Sequence, residues 1–353
     1  EVSAGNFNWM IRKYDSAGIF GWAATYTSPG TVADSPQGVA VDASGNVYAV
    51  GHETRAGQSN NWLIRKYTSA GGLVWSVSYN GAANGADIAW AVAVDPAGNP
   101  VVAGQETVAG QGMNWLVRKY DTGGNVLWNA GYNGAANGDD VARGVACDPS
   151  GSVYVAGYLT VTGQGTNWIM RKYAPGGALL WTVTYNGAAN GADEAYAVCV
   201  DGAGDAVVAG MENVTGQLTN WLMRMYGPGG TLAWSVTYNN PSSADDALYG
   251  CAVSPDGLTV AAGGMEWRND ILQAPNWLVR KYVTVAAAHL AGSAAVTPST
   301  ATAGDPVEVV LTVTNTGCDT LTGVTPAIVV APGAALVSLS SGPVPASIAS
   351  LAP

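Results

Sequence analysis

The sequence predicts an all-β protein, built as a β-propeller of four-stranded blades, and three observations carry this prediction. A heptamer of the form Asn-Trp-x-x-Arg-x-Tyr occurs six times, with spacings of 53, 53, 53, 53 and 56 residues. The composition, with 47 Gly, 13 Trp and only 11% charged residues, is typical of a turn-dense β protein. Each interval contains four strand-like segments, the pattern of a propeller blade. The heptamers begin at Asn8, Asn61, Asn114, Asn167, Asn220 and Asn276.

The unit that begins at Ala91 shows the four predicted strands in order. They are expected at residues 91–95, 100–104, 114–120 and 125–132, with a longer loop between the second and the third. Asp-Pro-x-Gly and Gly-Gly sequences supply the turns. Small residues predominate in the first strand and aromatic residues in the last two, as expected for wedge-shaped sheets around an axis.

The strand counts do not agree on the number of blades. Five inner strands, five outer Trp-containing strands and six heptamers are present. Five blades are favoured if the strand around Trp22 completes the last blade, which leaves one heptamer over. Six or seven blades result if upstream sequence is missing, and in a third alternative the unpaired edges join neighbouring subunits.

A family resemblance supports the same fold. The pattern DxAxGVAxDxxGxVYVAG at residues 140–157, followed by the heptamer at 167–173, resembles the bacterial β-propeller repeats known as SBBP and is similar to delta-60 and NHL repeats. The likeness covers roughly residues 1–284. It implies a propeller of a secreted or surface protein and brings no catalytic residues with it.

The composition changes after Tyr282. Residues 285–293 are expected to be a linker, and the run VTPST…AGDPVEVVLTVTNTG at 296–317 resembles bacterial Ig-like surface modules. A complete Ig-like sandwich needs about 100 residues, so the module at 294–353 is expected to be truncated or completed by another chain. The predicted domains are therefore a propeller at 1–284, the linker, and this module.

Charge limits the partners. The net charge is −11, and eleven of the 14 Lys and Arg residues lie inside the heptamers, so the remaining surface has almost no positive charge. Nucleic-acid binding needs a basic face and is not expected. No apolar run reaches the ~18 residues of a membrane span, so direct membrane insertion is not expected either. Self-association, other surface proteins and glycans remain as partners.

Two repeated charges are predicted to form structural clamps. Every heptamer carries an Arg, and an Asp recurs shortly before each inner strand, so Arg–carboxylate pairs could tie strands or blades together. The alternative is a ring of ligand-binding ion pairs. The residues are Arg12, Arg65, Arg118, Arg171, Arg224 and Arg280, with Asp34, Asp87, Asp140, Asp193 and Asp246.

Aromatic residues that break the repeat are the predicted binding residues. The repeated Trp residues are interpreted as inter-blade core, with sugar stacking as the alternative. Function tends to break repeat symmetry, whereas packing is copied with the repeat. The candidates are therefore Trp90, Tyr158, Tyr249 and Trp267.

Cofactor and catalytic signals are weak. No cofactor is expected, although the Asn-Gly-Ala-Ala-Asn-Gly-x-Asp loops, as at residues 80–87, offer oxygen atoms suited to Ca²⁺. The chain has two His residues and lacks hydrolase, metalloprotease and P-loop motifs, so no enzyme is expected. Glu residues recur near the second strand, and their repetition favours a structural role over a catalytic carboxylate pair. The four cysteines are interpreted as core residues, with a disulfide between neighbouring repeats as the alternative. These residues are Glu53, Glu106, Glu212 and Glu266, and Cys147, Cys199, Cys251 and Cys318.

The sequence thus predicts a secreted or cell-surface structural or adhesive repeat protein that could assemble into a fibre or surface layer. The alternative is a carbohydrate- or protein-binding, lectin-like propeller with its specificity in non-repeated loops, such as residues 265–275. The chain begins directly in repeat-like sequence and is expected to be a mature or excerpted segment of a larger protein.

Overall fold

The computed structural model describes residues 2–3, 6–29, 33–240, 244–267, 276–283, 290–297, 308–315, 321–322 and 347–348. The chain divides into two compact units, Glu1–Tyr282 and Val283–Pro353. The described residues form strands and turns and contain no helix, and so no helix that could span a membrane.

The first unit is an all-β, propeller-like array of repeated antiparallel sheets. One two-stranded sheet is followed by four four-stranded sheets and one three-stranded sheet, each a meander in chain order. A short pair, β1 and β2, precedes them. The strands are β1 Val2–Ser3, β2 Asn6–Phe7; β3 Trp9–Tyr14, β4 Phe20–Tyr26; β5 Ser35–Val41, β6 Val47–Arg55, β7 Ser59–Tyr67, β8 Leu73–Tyr79; β9 Ile88–Val94, β10 Pro100–Val108, β11 Gly112–Tyr120, β12 Val126–Tyr132; β13 Val141–Cys147, β14 Val153–Val161, β15 Gly165–Tyr173, β16 Leu179–Tyr185; β17 Glu194–Val200, β18 Ala206–Val214, β19 Leu218–Tyr226, β20 Leu232–Tyr238; β21 Asp246–Val253, β22 Thr259–Glu266 and β23 Asn276–Val283.

The second unit contains two described strand pairs. β24 (Leu290–Thr297) pairs with β25 (Glu308–Asn315), and β26 (Leu321–Thr322) pairs with β27 (Ser347–Ile348). Most of the predicted linker and Ig-like module lies outside the described residues, so these remain predictions.

The loop expected between the second and third strands is a tight turn. β10 extends to Val108 and β11 begins at Gly112, so only three residues connect the two strands. The Gln111 N–H donates to the Val108 carbonyl at 3.0 Å, and Gly110 and Gly112 have φ values of 77° and 68°. Positive φ favours Gly, which explains why this turn contains it.

The strand expected to complete the last sheet lies elsewhere. The Trp22 strand, β4, pairs with β3, while β23 takes the third position beside β22. Both β23 and β4 thus pair with the strand that precedes them in the chain, and β4 does not join the last sheet. Within the described part of the chain, no strand pairs with the inner side of β3 or the outer side of β23.

Hydrophobic layers lie between successive sheets, and the heptamer contributes to each of them. The heptamer Trp residues of the first five copies are at most 3% exposed, which confirms their interpretation as core. Four of these indoles also donate to a carbonyl of the next sheet, for example Trp62 Nε1 to the Gln105 oxygen at 2.6 Å. The heptamer therefore joins sheets both by packing and by directed hydrogen bonds.

The heptamer Lys residues add a second inter-sheet contact. Lys119 Nζ donates to the Pro175 carbonyl of the next sheet at 3.1 Å and lies 2.8 Å from Asp95 Oδ2 of its own sheet. Both side chains are buried. Burial alone would raise the pKa of Asp95, but Lys119 and hydrogen bonds from Asn99 hold it below its usual value. The pair therefore stabilises the fold when Asp95 is ionised.

We expect Lys119→Met to lower the free energy of unfolding by about 3 kcal/mol at neutral pH, because it leaves a buried carboxylate without its cation. The folded-state pKa of Asp95 is depressed, so its stabilisation is present above the unfolded value of about 3.9 and is lost as the pH falls through the folded value. The difference from the wild type should thus shrink below about pH 4. Urea denaturation at pH 7 and pH 3 measures it.

Lys13→Met is the matched control. Lys13 Nζ donates to the Ser69 carbonyl at 2.9 Å, and within the described residues it has no ion-pair partner. Its loss should cost about 1 kcal/mol at either pH. Equal effects of the two substitutions at pH 7 would contradict the importance of the Lys119–Asp95 pair.

Candidate functional site

A β-bulge interrupts the innermost strand of each of the five sheets that have one. The pairing register shifts around one residue in β5, β9, β13, β17 and β21, so that this residue is left out of the ladder. A bulge redirects the extra side chain away from the regular alternation. We call these five side chains the bulge rim: Gln37, Trp90, Arg143, Tyr196 and Tyr249.

A glycine of the second strand permits each bulge. A Cβ on Gly157 would lie 1.9 Å from the Val141 carbonyl oxygen, and one on Gly210 would lie 2.0 Å from the Glu194 oxygen. Gly51, Gly104 and Gly264 show the same close approach. The Gly in the second position of the Val-Gly, Ala-Gly or Gly-Gly at this place thus makes room for the bulged backbone, because any larger residue collides with it.

The bulge rim brings aromatic and charged groups of successive sheets together. The Arg143 guanidinium carbon lies 4.0 Å from the Trp90 ring centroid, and the Tyr196 and Tyr249 rings lie 5.3 Å apart. Trp90 Nε1 donates to Gln105 Oε1 at 3.0 Å, and the Tyr196 hydroxyl donates to Glu194 Oε2 at 2.9 Å. The result is two close pairs of flat groups with hydrogen-bonding groups beside them.

The electrostatics of the bulge rim are set by one cation and one carboxylate. Arg143 has no ion-pair partner within the described part of the chain, where the ion pairs join other residues. Burial, followed by the charge of Glu194, raises the pKa of Tyr196, and Arg143 opposes the shift. Tyr196 therefore stays protonated and donates, while Arg143 presents an unneutralised guanidinium on the Trp90 face.

The structure separates the four predicted binding residues. Trp90 and Tyr249 belong to the bulge rim, and Tyr249 is 54% exposed. Tyr158 is 8% exposed and lies beneath the Arg143 guanidinium, 5.6 Å from its ring centroid, so it supports the rim rather than presenting its own face. Trp267 follows β22 directly and is 40% exposed.

Sequence reasoning missed Arg143, Tyr196 and Glu194. Alignment of the units places Gln37, Trp90, Arg143, Tyr196 and Tyr249 at one position, immediately before a small residue of the inner strand. The residue at this position varies from unit to unit while the residue after it stays small, and this contrast was the available signal. A criterion limited to non-repeated aromatic residues cannot identify Arg143, and Tyr196 meets that criterion but was overlooked.

The predicted Arg and Asp clamps do not form pairs. The repeated Asp residues are at most 1% exposed and accept backbone N–H groups: Asp87 accepts from Gly81 at 2.5 Å and from Thr107 at 2.8 Å. Burial raises the pKa of Asp87, while these donors oppose it. The carboxylate thus joins the loop before each inner strand to the second strand. The equivalent contacts are made by Asp34, Asp140, Asp193 and Asp246.

The repeated Arg residues stack on tyrosines instead. The guanidinium carbon of Arg118 lies 3.9 Å from the ring centroid of Tyr79, in the outer strand of the preceding sheet, and the Tyr79 hydroxyl donates to Glu106 at 2.5 Å. Arg65, Arg224 and Arg280 take part in equivalent Arg–Tyr–Glu groups, with Glu53, Glu212 and Glu266. Arg171 stacks on Tyr132 at 4.3 Å, but Leu159 occupies the Glu position. The structure shows Arg12 as an exposed residue whose Nε donates to Met10 Sδ at 3.1 Å.

The Asn-Gly loops turn their oxygen atoms inward. Asn80 donates to Asn84 within the loop at 2.7 Å, and both Asp87 oxygens are engaged by backbone donors. Within the described residues, no group of three or more His, Cys, Asp and Glu side chains converges as metal ligands.

Comparisons with known proteins concern the fold. No family model matches the chain, and no curated protein matches it in sequence. A protein of unknown function from Dyadobacter fermentans is 11% identical with a TM-score of 0.47, covering 73% of this chain and 79% of its own. A candidate exo-β-1,3-galactanase from Bifidobacterium bifidum is 13% identical with a TM-score of 0.40, covering 79% and 93%. A candidate gluconolactonase is 13% identical with a TM-score of 0.38, covering 77% and 81%.

These similar structures correct the expectation that the chain is not an enzyme. Two of them are named for enzymatic activities. The physical reason is that the sheets form a scaffold, whereas chemistry depends on side chains grafted on it. The exclusion was wrong, and the likeness itself assigns no activity to this chain.

We expect Gly157→Ala to lower the free energy of unfolding by about 3 kcal/mol, because the new methyl group overlaps the Val141 carbonyl and the bulge must shift. Gly176→Ala is the control, since a Cβ at this position would meet no neighbouring atom within 4 Å and its φ is not positive. It should change stability by less than about 0.5 kcal/mol. Chemical denaturation measures both, and similar small effects would argue against a tightly constrained bulge.

Proposed function

We propose that this chain is an adhesive module of a secreted or cell-surface protein that binds glycans through the bulge rim. The observation that carries the proposal is the occurrence of two close pairs, Trp90 with Arg143 and Tyr196 with Tyr249, at the bulge position of four successive sheets. Aromatic faces stack on the apolar faces of sugar rings, and neighbouring polar groups bind hydroxyls. Glu194, Gln105 and the Arg143 guanidinium supply such groups.

Variation within the repeat supports this assignment. The residues that join sheets are nearly identical from unit to unit, whereas the bulge position holds Gln, Trp, Arg, Tyr and Tyr. A side chain outside the strand ladder can change without loss of sheet pairing, so this position is suited to recognition. The bulge rim also continues into an apolar groove of about 550 Å³ that Tyr249, Met265 and Trp277 line.

The type of propeller repeat, the number of blades and the nature of the C-terminal module are part of the same proposal. The repeat pattern supports assignment to SBBP-type propellers, and the C-terminal run supports an Ig-like surface module. Six successive sheets in the first unit favour a ring of six or more blades over the five first expected. Such modules are typical of secreted and surface proteins, which is the location proposed here.

We expect Trp90→Ala and Arg143→Ala to weaken glycan binding by at least about tenfold each, which corresponds to roughly 1.4 kcal/mol. A glycan array identifies the bound sugar, and calorimetry with that sugar measures the affinities. Tyr14→Ala is the control, because Tyr14 is 49% exposed on β3 and lies outside the bulge rim. An array without any bound glycan, or unchanged affinity in both rim variants, would refute glycan binding at this site.

A second function, self-association, is favoured by the sixth heptamer. Trp277 is 94% exposed and Val279 is 71% exposed, whereas the residues at these positions in the other five copies are at most 9% exposed. Elsewhere in the array a following sheet covers this surface. At the other end of the array, Val39 of β5 is 63% exposed, while the equivalent Val145 is 9% exposed. A second copy of the same repeat is therefore the complementary partner.

We expect the wild-type protein to associate with increasing concentration and Val279→Lys to remain monomeric, because a charge on this surface opposes its burial. Sedimentation velocity over a concentration series measures the state. Val126→Lys, a substitution at an exposed position of the outer strand β12, should associate like the wild type. A wild type that stays monomeric throughout, or an associating Val279→Lys, would count against this interface.

A further inference from the structure

Two cysteines of neighbouring sheets face each other across their shared hydrophobic layer. Cys199 lies on β17 and Cys251 on β21, and both pack into the core between the fifth and sixth sheets. Cys251 Sγ lies 3.5 Å from the Val207 carbonyl oxygen, and Val207 is the residue directly opposite Cys199 in the β17–β18 ladder. The neighbouring Cys199 side chain, followed by burial, raises the pKa of the Cys251 thiol.

The repeat itself indicates that the two cysteines belong together. At the same two positions, the preceding interfaces hold an Ala on one inner strand and a Val on the next: Ala93 with Val145, and Ala146 with Val198. Only between β17 and β21 are both positions Cys. A small core residue has no need to change together with its neighbour, whereas a covalent bond requires both thiols at one interface.

The spacing of inner strands suits a covalent link. A Cβ on Gly144 of β13 would lie 3.0 Å from the Ala197 Cα of β17, so neighbouring inner strands approach each other closely. β17 and β21 are packed in the same manner. Disulfides join residues whose Cα atoms are about 4.4–6.8 Å apart, a distance that this kind of approach provides.

We propose that Cys199 and Cys251 form an inter-sheet disulfide in an oxidising compartment. The oxidant is a small disulfide such as glutathione disulfide. One cysteine thiolate attacks it and releases one glutathione thiolate, and the second cysteine then attacks the mixed disulfide and releases the other. Two protein thiols lose two electrons and two protons, and one glutathione disulfide becomes two glutathione thiols. In the structure described here both cysteines are free.

The bond joins the last sheet of the array to the sheet before it. This end of the array lacks a following sheet among the described residues, so inter-sheet packing stabilises it from one side only. A disulfide limits the conformations of the unfolded chain and thereby stabilises the folded state. The proposal does not depend on glycan binding or self-association, since it rests on the core between two sheets.

The test is refolding in a mixture of reduced and oxidised glutathione, followed by alkylation and tryptic digestion without reductant. Refolding is used because both cysteines are partly buried and packed against the core of the folded protein. Mass spectrometry should detect peptide 173–224 linked to peptide 225–268, which carry Cys199 and Cys251 respectively, and dithiothreitol should separate them. The oxidised protein should also melt at a higher temperature than the same protein in dithiothreitol.

The double variant Cys199→Ala and Cys251→Val restores the pair found at the other interfaces, so it should fold. It should yield no linked peptide, and its melting temperature should be the same with and without dithiothreitol. Cys147→Ala, which removes a third buried thiol, should leave the linked peptide intact. Absence of the 173–224 to 225–268 link in the refolded wild type, or linkage of either cysteine mainly to Cys147, overturns the proposal.

Discussion

The hydrogen bonds that the first five heptamers and the Trp residues of β4, β8, β12 and β16 send into the next sheet are the interaction on which the array depends. The turn carbonyl of Thr122 accepts both Lys66 Nζ and Trp75 Nε1 from the preceding sheet, at 3.0 Å each. Pro175 and Pro228 accept the equivalent pairs. A buried donor without an acceptor is costly. Each unit therefore needs its successor, which is the nearest-neighbour logic of repeat proteins.

This constraint determines where the chain can vary. Contacts with a neighbouring sheet are made by the repeated Trp, Lys, Tyr and turn Gly residues. A change at one of these positions therefore disturbs the contact between two sheets. The bulge residue is outside the ladder, and its side chain can change while the backbone stays in place. For this reason, one structural position can hold residues as different as Trp90, Arg143 and Tyr196. The sheets supply a fixed frame, and the side chains that it does not use are those for which we propose a role in recognition.

The sequence predicted the frame well because turn and strand signals are local. The 53-residue period could be read from the recurrence of the heptamer, and the Asp-x-x-Gly turns and the buried heptamer Trp residues from the sequence of a single unit. The residues that these side chains contact in other strands and sheets could not be read from the sequence. Asp87 and Arg118 recur together, which favoured pairing them, yet the carboxylate accepts backbone N–H groups and the guanidinium lies on Tyr79. Backbone donors carry no residue signature, and a bulge is invisible without knowledge of strand register.

The sheet that holds Arg143 departs from the repeat at two buried positions of β14. At positions where other units have Glu, His, Gln or Met, this sheet has Leu159 and Tyr158. Leu159 removes the acceptor that the preceding Tyr132 would otherwise use, so one Arg–Tyr–Glu group is incomplete. The same sheet supplies the one cation of the bulge rim, with Tyr158 beneath it and Trp90 beside it. The loss of a shared stabilising contact beside a stacked guanidinium supports the recognition role that we propose for the bulge rim, because packing alone would have kept the repeat.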